Sequence, residues 1–161
     1  MPRRIPGATF LALSIGLLPI NPAQAAITAL VPLSAVLKES NHILTVQVEA
    51  LDPDKRTMVL AVDEHLKDKA PFTKLPVLLK GDSEADKSKQ VPLLLKRLAP
   101  KLPLVLFVKK KGDNDYLAFA YTNGTWFQLR GVKPADSALV RWSFTHTEPY
   151  LRRTFKGTTE L

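Results

Sequence analysis

The chain has 161 residues, 45% hydrophobic and 24% charged, which is room for one domain of ordinary globular composition. It contains no cysteine and three histidines, which excludes disulfide frameworks, thiol nucleophiles and iron–sulfur clusters and leaves too few ligands for a cysteine or histidine-rich metal site. The formal charge is +8 and uneven: residues 26–95 hold 9 Lys+Arg against 10 Asp+Glu, residues 96–156 hold 12 against 4.

The N-terminus has the pattern of an export signal. Met1-Pro2-Arg3-Arg4 is a basic start, Ile5 to Ile20 an apolar run, and Asn21-Pro22-Ala23-Gln24-Ala25 a small-x-small ending. Residues 1–25 are therefore expected to form a signal peptide cut after Ala25, leaving residues 26–161 as one domain. The competing reading is an uncleaved N-terminal anchor, because no charge occurs between Arg4 and Lys38. Against the anchor, Pro6, Gly7, Pro19 and Pro22 break the run. Either way the basic start stays inside and the rest crosses, so the expected location is secreted or periplasmic.

Leu33 to Ser40 is predicted as two helical turns, with Ser34 as N-cap. His42 to Ala50 alternates, with Leu44, Val46 and Val48 on one face and Thr45, Gln47 and Glu49 on the other, the pattern of a half-buried strand. Asp52-Pro53-Asp54-Lys55 is a turn, and Thr57 to Val62 returns as the second strand. Lys74 to Lys80 forms a third strand, with Pro76 near its start or on an edge. Gly81 to Gln90 reads as a charged loop. Pro92 to Pro100 reads as a short helix with Leu94, Leu95 and Leu98 on one face.

Leu104 to Val108 is a fully apolar strand, and Tyr116 to Tyr121 the next. Asn123-Gly124 is a strong hairpin signal, since both central positions of a type I′ turn require positive φ, and it leads into Thr125 to Leu129 as an extra hairpin arm. A last helix is expected from Glu148-Pro149, capped by Gly157. Three strands, a helix, then two strands is the order of an OB fold. The predicted class is mainly β, an OB-fold-like barrel with a short helix between strands 3 and 4 and flanking terminal helices; a plain α+β sandwich has the same inventory of elements.

Glu39 to Val48, Met58 to Lys67 and Pro103 to Val108 together resemble strands of netrin-like, TIMP-like OB domains of secreted bacterial proteins. The resemblance spans roughly residues 39–122. It implies an OB-type barrel outside the cytosol. Gln47 and Asp68 stand where that pattern has glycine, and the N-terminal cysteine through which inhibitors of that superfamily act is missing here, so no inhibitory mechanism carries over.

Asp63, His65 and His146 are the candidate acid/base residues of an alternative, hydrolase-like reading, which requires them in one cleft. Asp52-x-Asp54 and Asp113-Asn114-Asp115 lack the bidentate glutamate of a calcium loop and suit turns. Trp126, Trp142 and Phe144 are a candidate aromatic face. Lys109, Lys110, Arg141, Arg152, Arg153 and Lys156 are candidates for an anionic partner. The expected function is a non-catalytic binding module at the cell envelope, contacting an acidic protein, a glycan or an anionic surface. No cofactor or metal is implied, and export argues against nucleic acid. A third reading takes the chain as an N-terminal fragment of a longer membrane-anchored envelope protein.

Overall fold

The computed structural model describes residues 31–149 and Leu151. The expected signal segment, Arg152, Arg153, Lys156 and the expected cap Gly157 lie outside them. The strands are β1 (His42–Asp52), β2 (Thr57–Lys67), β3 (Lys74–Leu78), β4 (Pro103–Lys110), β5 (Asp115–Thr122), β6 (Thr125–Val132) and β7 (Arg141–Thr147). They close into a barrel in the order β1-β2-β3-β7-β6-β5-β4, with β4 returning to β1. Every neighbouring pair is antiparallel except β3 and β7.

The barrel follows from period-two burial. Leu44, Val46 and Val48 of β1, Met58 and Leu60 of β2, and Leu75 and Val77 of β3 point inward, as do Leu104, Leu106 and Val108 of β4. They meet Phe127, Leu129 and Phe144, and each fully buried side chain of this size contributes about 1.5–3 kcal/mol. Register shifts between Ile43 and Leu44, Thr45 and Val46, and Val48 and Ala50 coil β1 enough to pair with both β2 and β4. Pro76 is tolerated because β3 pairs with β7 only at Val77 and Leu78, so the ladder beside the proline is open.

The structure is the expected mainly β, OB-fold-like barrel, with two differences: β7, which the predicted strand order lacked, and the place of the Asn123-Gly124 hairpin. The Asn123-Gly124 hairpin is not an appended arm. β5 and β6 lie within the wall between β4 and β7, and β7 makes the parallel closure with β3. Asn123 and Gly124 have φ of 40° and 75°, as a type I′ turn demands.

Helix boundaries differ more. α1 (Leu33–Glu39) follows Pro32, not a capping Ser34, and its N-terminus has no side-chain cap. The charged segment read as a loop contains α2 (Ser83–Lys87), and the next helix, α3 (Gln90–Leu95), starts earlier and stops sooner than Pro92–Pro100. Lys89, at φ 51°, breaks the two apart. Leu94 and Leu98 are buried against the barrel, and Leu95 only half so.

A second, smaller cluster lies outside the wall. Val36 of α1, Ile43, Phe107, Tyr121, Trp126 and Leu151 pack there together. This explains the unbroken apolar run of β4: Leu104, Leu106 and Val108 face the barrel interior while Phe107 faces this outer cluster.

Candidate functional site

Lys109, Lys110 and Arg141 belong to one end of the wall, where β4 and β6 finish and β5 and β7 begin. Lys109 registers with Leu117, Leu117 with Arg130, and Arg130 with Ser143, so β4 and β7 are three strand spacings apart, about 14 Å. They do not form one patch. Lys109 bonds Glu39 at 2.6 Å, and that contact and its charge hold the Glu39 carboxyl below its ordinary value. Lys110 lies 3.9 Å from Asp113. Arg141 makes no ion pair among the described residues.

The aromatic residues are core. Trp142 is 2% exposed and packs with Phe72 and Tyr116 at ring-centroid distances of 5.4 and 6.0 Å. Phe144 meets Phe127 inside the barrel, whereas Trp126 lies in the outer cluster against Phe107 and Tyr121. Trp142 and Phe144 point into the barrel and Trp126 into the outer cluster, so the three share no stacking surface.

Asp63, His65 and His146 do not share a cleft either. Asp63 accepts from Gln47 Nε2, and His65 Nδ1 accepts from the Ala70 N–H. His65 registers with Leu44, near the far end of β2 from Thr57, which is the end linked through Leu78 to Ser143 and β7.

His146 has other partners, which the residue pattern did not reveal. Its Nδ1 lies 2.8 Å from Asp82 Oδ2 and its Nε2 lies 3.0 Å from Glu148 Oε1. Asp82 also caps α2, accepting the Glu84 and Ala85 N–H groups. Burial disfavours the charged imidazole, but Asp82 and Glu148 outweigh it and raise the His146 pKa above 6.5. Burial also works to raise Asp82, yet the Ala85 N–H and His146 bring it below 3.8. For Glu148, burial wins over the pull of His146, and its pKa is raised above 4.5. With both ring nitrogens bonded inside the protein, His146 has none left for a substrate proton. The spacing of His146 and Glu148 on an extended strand end hints at the pair; Asp82, sixty-four positions away, had no sequence signal beyond its capping position.

A groove crosses the outer face of β2, β3, β7 and β6. It has a volume of about 600 Å³ and is walled by Val59, Pro76, Leu78 and Val132, with Arg141 at its lip. Leu78 is 44% exposed and Val132 also lies open to solvent. No family model, curated protein or solved structure matches this chain. Function is therefore argued from this geometry. Among the described residues no helix is long and apolar enough to cross a membrane.

Proposed function

We propose that this chain is an exported, non-catalytic binding module at the cell envelope, and that its outer groove takes an extended segment of an acidic protein. One observation carries the reading: the open apolar groove over β2, β3, β7 and β6 is lined at one side by Arg141, which has no ion pair among the described residues. Apolar walls suit alternating apolar side chains, and Arg141 suits a carboxylate between them. A sugar or phosphate headgroup would find few polar partners there. The strands 2–3 face is also where OB folds commonly hold ligands. The netrin-like kinship belongs to the same proposal and rests on the strand patterns within residues 39–122.

A peptide of alternating Glu and Val is the probe. Titrated into the protein, it is expected to shift the methyl resonances of Leu78 and Val132. Affinity should fall about tenfold or more in Arg141→Glu, and should weaken with salt because an exposed charge is screened over about 10 Å at 0.1 M. Equal binding of the matching Lys-Val peptide, or shifts confined to other surfaces, overturns the reading. Export is checked separately by N-terminal sequencing of protein recovered from the producing cell. Ala26 is the expected first residue, and intact precursor folded in the cytosol contradicts it.

A further inference from the structure

A second cavity, about 210 Å³, opens between α3, the start of β6 and the end of β7. Leu94, Trp126 and Pro149 form an apolar wall, and Leu93, 56% exposed, stands at the mouth. Two side chains of opposite charge line the same space. Arg97 is fixed by a 2.6 Å bond from its Nη1 to Thr125 Oγ1, which leaves the other guanidinium donors for a ligand. Glu148, its side chain 15% exposed, is held through Oε1 by His146, and its Oε2 makes no hydrogen bond among the described residues. Gln90 closes the floor by accepting the Thr147 N–H at 2.7 Å.

A lone apolar dent would need neither charge, and a site for a simple anion would not include a carboxylate. We propose that this cavity is a binding site for a small zwitterion with an aliphatic body, its carboxylate on Arg97 and its ammonium on Glu148. The planar guanidinium accepts a carboxylate in fork geometry, and the carboxylate of Glu148 accepts a donor directly. Both polar ends are braced by neighbours, Thr125 and His146, so little side-chain freedom is lost on binding. The site is separate from the outer groove, and its ligand does not depend on that groove's partner.

The test uses 6-aminohexanoate as probe, with hexanoate and hexylamine as comparators, followed by calorimetry. The zwitterion is expected to bind about tenfold more tightly than either comparator. Arg97→Met should reduce it to the level of hexylamine, and Glu148→Gln, which keeps an acceptor for His146, to the level of hexanoate. Arg97→Lys, which retains charge without the fork, covers the case in which the Met variant fails to fold and should still lose several-fold. Three probes of equal affinity, no saturation by ~10 mM, or zwitterion binding unchanged in Arg97→Lys and Glu148→Gln would overturn the proposal.

Discussion

Gly131 shows how one residue type can be required by a neighbour rather than by its own backbone. A Cβ built there meets three atoms of the Trp142 ring, the nearest at 2.9 Å, and that ring is wedged between Phe72 and Tyr116. Gly131→Ala should therefore cost about 1–3 kcal/mol by overpacking, read as a fall in the chemical-denaturation midpoint. Shortening the ring should relieve it: in Trp142→Leu background the same Ala change is expected to cost much less, and an unchanged penalty would place the clash elsewhere. The indole Nε1 of Trp142 is buried without a hydrogen-bond partner among the described residues, so this aromatic stack stands on packing alone. Gly124, by contrast, is required by its φ of 75° in an open turn, which the Asn-Gly pair already announces.

At the scale of elements, the Asp82–His146–Glu148 array ties α2 to the end of β7. The raised His146 pKa contributes stability that is fully present below about 6.5 and lost as pH rises through the folded value. The lowered Asp82 pKa contributes stability above 3.8 that is lost as pH falls through its depressed value. The raised Glu148 pKa acts oppositely, since its ionised form is disfavoured in the folded protein above 4.5, with Glu84 adding to the repulsion. Thermal unfolding of the native chain should thus lose more stability between pH 6 and pH 9 than His146→Gln does. Asp82→Asn separates the two duties of that carboxylate. It should keep the cap of α2 and flatten the pH response, whereas Asp82→Ala loses the cap as well, at about 1 kcal/mol. Parallel pH profiles for the native chain and His146→Gln would contradict the assignment.

For the whole molecule, closure distributes stability around the wall unevenly. β1 is paired along most of its length on both sides, to β2 and to β4, whereas β3 meets β7 through two residues. Amide hydrogen exchange should find the slowest sites in Leu44, Val46 and Leu106 and the fastest strand amides in β3 before Val77. Uniform protection around the barrel would mean that the seam is stronger than its pairing. The same seam borders the outer groove, so a ligand bound there should slow exchange in β3 first.

Much of this architecture is legible in local patterns. Alternation in β1, the Asp-Pro-Asp turn before β2, and Asn123-Gly124 each express a chemistry confined to a few neighbouring residues, and their strands appear where expected. The unbroken apolar run of β4 marks a strand but not its reason, which is burial on two faces by elements distant in the chain. The break between α2 and α3 leaves no local mark because Lys89 adopts a left-handed conformation that its residue type does not announce. The basic residues are visible as a list, but Lys109 is paired with Glu39, and Arg141 is the one that lines the outer groove among the described candidates. Sequence alone determined the mainly β character and its turns, because period, β-branching and turn residues act at short range. Tertiary structure decided that β7 closes on β3, that the aromatics are core and that His146 joins Asp82 and Glu148, because those depend on register between strands whose separation in the chain leaves no periodic trace.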